Sequence, residues 1–125
     1  MSNKYKNLDI LEDYIMRINT HDFKQVNEIL TKKSLFIFTD QICSTPNEIQ
    51  NYFENAWIEI RDEVYAANEV SLLFEDNHTK VYTYIYEYSG YDCNDQYVKG
   101  KGKATNVFCK IDGSWKLVHE HLSSF

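Results

Sequence analysis

A chain of 125 residues with a formal net charge of −6 is long enough to bury one core and too acidic for a protein that tracks nucleic-acid phosphates. Hydrophobic residues make up 43% and charged residues 26%, ordinary for a globular protein, so residues 1–125 are expected to form a single domain. The departure is aromatic: Tyr 10, Phe 7 and Trp 2 imply either a dense core or a cavity walled by rings.

Met1-Ser2-Asn3-Lys4-Tyr5-Lys6 lacks the apolar run of a signal peptide, and no stretch approaches the roughly 20 apolar residues of a membrane helix. No membrane partner and no nucleic-acid partner are expected. Lys99, Lys101 and Lys103 form the one basic cluster, and alternate lysines on a strand suit a solvated edge. Cys43, Cys93 and Cys109 are odd in number and too widely spaced for a metal site, which points to a reducing cytoplasm. Neither a metal nor a cofactor is called for.

The segment from Asn7 to Asn19 places Leu8, Leu11, Ile15 and Ile18 on one helical stripe with Tyr14 beside it. Asn19-Thr20-His21 breaks that helix, and Asp22 followed by Gln25 caps a second short one carrying Phe23, Val26, Ile29 and Leu30. Leu35 to Thr39 is a first strand. Thr45-Pro46-Asn47-Glu48 is a capping box with proline at the first helical position. The helix it opens presents Ile49, Tyr52, Phe53, Ala56, Trp57 and Ile60 at three- and four-residue steps.

From Val64 the period becomes two, with Val70, Leu72 and Phe74 expected on one face. After a turn at Asp76-Asn77-His78, the strand Val81 to Tyr88 projects Tyr82, Tyr84, Tyr86 and Tyr88 to one side. Asp112-Gly113 joins the last two strands, Gly102–Ile111 and Ser114 onward, as a tight hairpin. Helices followed by hairpin-linked strands predict an α+β fold, three N-terminal helices packed on a curved antiparallel sheet.

Three stretches carry a family resemblance: Asp22-Phe23, Phe53-Glu54-Asn55-Ala56-Trp57, and Asp112-Gly113 with Trp115 and Val118-His119-Glu120-His121-Leu122-Ser123. With the element order, they make the chain resemble the nuclear transport factor 2-like superfamily, which includes SnoaL-like cyclases and ketosteroid isomerases. The wording is similar in particular to the association domain of calcium/calmodulin-dependent kinase II and its free-standing bacterial relatives. The resemblance implies a cone-like fold whose sheet and helices enclose a pocket, and a homo-oligomer, a dimer first of all, built on the outer sheet face. It also implies that positions where the association domains hold small carboxylates with arginines are here Tyr86, Asn106 and Leu122, with Ile49 in place of a pocket histidine. None of these can replace a guanidinium, so such acids are expected to bind poorly. The isomerase pattern is broken as well. Tyr14 matches its tyrosine, but the base position falls near Phe38, with Asp40 about two residues later, and the acid position near Val107.

Strand alternation from Tyr86 and Leu122 turns Tyr84, Tyr88, Val118 and Glu120 toward the cavity. It turns Ile85, Leu117, His119 and His121 outward, as an exposed patch needing a partner. The His119–His121 pair has metal-like spacing but no third ligand, so packing or an interface is the simpler role. Glu120 and Tyr14 are the candidate catalytic pair: a carboxyl buried among tyrosines is pushed toward neutrality, where it serves as acid or base. The alternative for Glu120 is a carboxylate that only completes a buried hydrogen-bond network. Tyr84, Tyr86, Tyr88, Trp57, Asn106 and Leu122 are the candidate ligand-binding residues. Three functions stay open. They are a pocket protein for a small organic molecule, an acid–base lyase, isomerase or cyclase without a cofactor, and an assembly module with a vestigial pocket.

Overall fold

In the computed structural model, which describes residues 8–125, three helices lie against one curved six-stranded sheet that does not close. Asn7, where the first helix was expected to begin, lies outside these residues. Helix α1 (Ile10–Ile18) starts after Asp9, whose carboxylate accepts from the Leu11 amide. It buries Ile10, Leu11, Tyr14 and Ile18, and also Arg17. The guanidinium tolerates burial because Asp13, Glu28 and the Gln25 carbonyl accept from it at 2.6, 2.6 and 2.7 Å.

Helix α2 (Phe23–Asn27), capped by Asp22, is shorter than the sequence suggests. Strand β1 (Leu30–Ile37) begins five residues earlier than expected and claims Leu30 from the helix. The reason is tertiary: the Leu117 amide donates to the Ile29 carbonyl at 2.7 Å, drawing the chain into the sheet. The two-residue β2 (Ile42–Cys43), pairing Phe36 with Cys43, was too short to be seen in the sequence. Helix α3 (Pro46–Glu59) starts where its capping box places it, with both reciprocal hydrogen bonds formed.

The strands β3 (Arg61–Glu75), β4 (Thr79–Tyr91), β5 (Tyr97–Ile111) and β6 (Ser114–Ser124) complete the sheet in the order β2-β1-β6-β5-β4-β3. All neighbours are antiparallel except β1 and β6, which run parallel. The Asp112-Gly113 turn has φ of 51° and 81° at its two central residues, the pattern that matches the twist of a hairpin.

Bulges correct two expectations. In β3 the register against β4 slips near Asp62 and Glu69, both at positive φ, and again at Leu73. Leu72 therefore faces the Tyr82 side and Phe74 the Val81 side, so Val70, Leu72 and Phe74 do not share a face. In β6 the register slips at Val118, because Val107 faces His119 and Phe108 faces Leu117. Leu117 thereby moves from the expected outer patch to the core, fully buried opposite Phe108. Glu120 lies beyond the bulge and keeps its predicted inward direction.

The free edge of the sheet, β3, is covered by the turn after α1. Asn19 accepts from the Tyr65 amide and donates to its carbonyl, both at 2.8 Å, and His21 Nε2–H donates to the Glu63 carbonyl at 2.8 Å. Two alternate residues of an edge strand are thus satisfied by side chains. This closes the side of the cone where the cavity lies.

Candidate functional site

Between α3, the turn after β1 and the concave sheet face lies a cavity of about 350 Å³, within the range of small-molecule sites. Its helical wall is Phe53, Ala56, Trp57 and Ile60; its sheet wall is Tyr65, Tyr86, Tyr88 and Leu122; Tyr14 and Glu120 stand at its base.

Ring geometry keeps the space open. Tyr86 and Tyr88 lie opposite Gly102 and Gly100 on β5. A Cβ on Gly100 would come within 2.5 Å of the Tyr88 hydroxyl, and one on Gly102 within 2.5 Å of the Tyr86 hydroxyl. The two glycines let the tyrosine rings lie flat on the neighbouring strand instead of standing into the cavity. Tyr65 stacks on Tyr86 at 5.9 Å, Trp57 stacks on His21 at 5.4 Å, and Tyr52 lies on Phe38 at 3.7 Å. Tyr52 also donates to Asp40 at 2.7 Å, so Asp40 is a turn residue holding a wall ring in place.

At the base, Glu120 Oε1 accepts from the Tyr14 hydroxyl at 2.7 Å and from Asn106 Nδ2 at 3.0 Å. Tyr84 donates to Asn106 Oδ1 at 2.6 Å, which orients the amide. Oε2 receives no hydrogen bond from the described residues, and no buried polar side-chain atom among them lacks a partner. That oxygen therefore opens onto the cavity that Glu120 lines. Burial pushes the Glu120 carboxyl up to about 7, against the pull of the Tyr14 and Asn106 donors. Tyr14 is raised well above its ordinary range by burial and by the neighbouring carboxylate, so it stays a hydrogen-bond donor. A carboxyl poised near neutrality with one fixed oxygen and one free one can take or give a proton at Oε2.

Of the sequence candidates, Glu120, Tyr14, Tyr86, Tyr88, Trp57 and Leu122 meet at this cavity. Tyr84 and Asn106 do not line it. They share its face of the sheet but sit one layer behind, almost fully buried, as supports for Glu120. Ile49 is core. His119 and His121 face outward opposite Val107 and Thr105, and His119 Nδ1 pairs with the Leu35 carbonyl at 2.8 Å. Among the described residues no group of three His, Cys, Asp or Glu is placed to hold a metal. None of their helices is long and apolar enough to cross a membrane.

Sequence reasoning missed Glu63 and Tyr65, both on the cavity wall. Burial alone carries the Glu63 carboxyl up to about 7. The signal available was the two-residue period of β3, which puts Glu63 and Tyr65 on one face. Only the pairing of Tyr65 with Tyr88 shows that the face is the inner one.

The family described as the SnoaL-like domain matches residues 8–125. No curated protein matches the chain. A solved structure from Xanthomonas campestris, provisionally assigned as a calcium/calmodulin-dependent protein kinase II association domain, superposes with a TM-score of 0.83 at 17% identity, over 100% of this chain and 89% of that one. A nuclear transport factor 2-like superfamily protein from Salmonella enterica serovar Typhimurium gives 0.82 at 16% identity, over 91% and 84%. A protein from Novosphingobium aromaticivorans, provisionally assigned as a scytalone dehydratase, gives 0.81 at 10% identity, over 93% and 79%. At these identities the likeness is one of fold.

Proposed function

The chain belongs to the SnoaL-like family, and from that premise we propose that its cavity binds a small, flat organic molecule on which Glu120 carries out acid–base chemistry of the lyase or isomerase kind. The observation that supports this is the Glu120 carboxyl, with Oε1 held by Tyr14 and Asn106 and Oε2 open to the cavity. The ring walls favour an apolar body. An ionised Glu120 takes a proton from an acidic C–H of the ligand, and the same carboxyl returns it to another carbon or to a leaving oxygen. Tyr14 steadies the carboxylate while it is charged. A dehydratase-like protein among the similar folds is in keeping with this chemistry.

The chain is further proposed to be one cytoplasmic domain that self-associates through the outer sheet face. Exposed Val64 and Phe74, with Ile85 and His121 on the same side, support that face. Light scattering showing a monomer of about 15 kDa at tens of micromolar would oppose the assembly (the chain mass is 14.8 kDa).

The catalytic reading is tested by hydrogen–deuterium exchange at carbon in a panel of small cyclic ketones and hydroxy compounds. Wild-type protein should catalyse exchange into at least one of them in a manner that follows a group titrating near 7, and Glu120→Gln should abolish it. Ligands that bind with no exchange in either protein would leave a binding cavity and remove the catalytic role.

A further inference from the structure

Glu63 has the placement of a ligand-binding group. Its backbone carbonyl is held by His21, whose ring stacks on Trp57, so strand, turn and helix fix its position at the cavity wall. Its carboxylate has no hydrogen-bond or ion-pair partner among the described residues, although it is half-buried and lines the cavity. The cations nearby on the chain are engaged elsewhere. Arg61 pairs with Asp95 at 2.7 Å, and Lys101 Nζ stands over the Phe125 ring at 5.5 Å. Lys101 is the one cationic residue of the wall, against three carboxyl residues, Glu59, Glu63 and Glu120. Around these lie Trp57, Tyr65, Tyr86 and Tyr88, aromatic rings of the kind that attract cations.

We propose that the cavity's occupant bears a protonated amine, held by the Glu63 carboxylate among the ring faces, with its apolar body directed toward Glu120. This rests on the cavity being a ligand site, as proposed above, and adds the charge of the ligand. An anion of the same shape meets three carboxyl residues against one lysine. A neutral isostere gains the rings but leaves the Glu63 carboxylate unpaired.

Binding should be linked to protons. The ligand enters as R–NH₃⁺, and a Glu63 carboxyl that is protonated in the empty protein releases its O–H proton to solvent as the ion pair forms. The titratable groups of the same wall include Glu59 on α3, Tyr65 on the same strand and Tyr88 on β4, while Lys101 on β5 pairs in register with Glu87 on the opposite strand face and His21, in the turn after α1, binds the Glu63 backbone carbonyl. Burial holds the Glu63 carboxyl near 7 when the cavity is empty, so release should be largest near pH 6 and vanish near pH 8.5.

The test is calorimetry of the full chain with benzylamine, benzyl alcohol and benzoate, three probes of one shape and three charges, in buffers of different ionisation enthalpy. Benzylamine should bind about tenfold more tightly than benzyl alcohol at pH 8, with benzoate weakest, and should release protons at pH 6. Glu63→Gln should bring benzylamine to within about twofold of benzyl alcohol and abolish the buffer dependence. If benzyl alcohol binds and benzylamine shows no preference, or if Glu63→Gln leaves the preference intact, this inference is overturned and the binding cavity stands. If none of the three probes binds, the cavity reading falls with it. A one-dimensional proton spectrum of Glu63→Gln confirms that the variant is folded before its affinities are compared.

Discussion

The two buried carboxyls of the cavity reach the same acidity by different routes. Glu120 at the base is almost fully buried, and burial raises it while Tyr14 and Asn106 hold it back. Glu63 on the wall is only half-buried, but it has no donor to oppose the burial. Both arrive at about 7. Environment, and not depth alone, sets the value: a deep site furnished with donors and a shallow site without them are equivalent in pKa and different in use. The Glu120 carboxylate is oriented and keeps one free oxygen. The Glu63 carboxylate is free at both oxygens, as a group that waits for a partner would be.

The strongest way to separate them is stability as a function of pH. Glu120 titrates at about 7 in the fold against 4.5 unperturbed, so the native state binds more protons than the unfolded state between those values. Stability contributed by its protonated form is present at pH 4 and is lost as pH rises through 7, a change of about 3 kcal/mol. Glu120→Gln retains the oxygen acceptor and removes the titration. Urea unfolding should therefore show the variant more stable than wild type at pH 8.5, by up to about 3 kcal/mol, and close to it at pH 5. A pH profile identical to wild type would mean that Glu120 is not the buried titrating group.

Tyr14→Phe tests the donor side of the balance. Without the 2.7 Å hydrogen bond, the carboxyl loses one of its two restraints and should move above 7 in carboxyl-detected NMR. The variant should lose roughly 1.5–3 kcal/mol at pH 9, where the acceptor is charged, and less at pH 5. A Glu120 value that falls in the variant would contradict the network described here.

Much of the fold was legible because its signals are local. The Thr45 capping box and the Asp112-Gly113 turn fix their own dihedrals, and both are formed as read. Thr45→Ala should cost about 1 kcal/mol by thermal unfolding without moving the Glu120 pKa. What escaped depends on pairing with distant strands. The bulges at Asp62, Glu69 and Leu73 respond to β4, and the one at Val118 responds to β5. Alternation read through Val118 therefore placed Leu117 on the wrong face, while Glu120 and Leu122, counted from beyond it, were placed correctly. Alternation also gives a face and not a depth. Tyr84 and Asn106 are on the inner face as expected, yet Tyr65, contributed by a bulged edge strand, stands on the wall they were expected to form.

The smallest expected effect is the one that sharpens the comparison most. Glu63→Gln should alter stability by less than about 1 kcal/mol, since solvent reaches this side chain and screens its charge. Its pH dependence should have the same sign as that of Glu120, with stability favoured below 4.5 and eroded as pH rises through 7, but only a fraction of the size. The decisive measurement is of the other carboxyl. The acidity of Glu120 follows from its own burial and its two donors, with no contribution from the Glu63 charge. In Glu63→Gln the Glu120 titration followed by NMR should therefore shift by less than about half a unit. A shift of a unit or more would mean that the two carboxyls share their protons as a coupled pair, and the division of one cavity into an oriented base and an independent anchor would have to be given up.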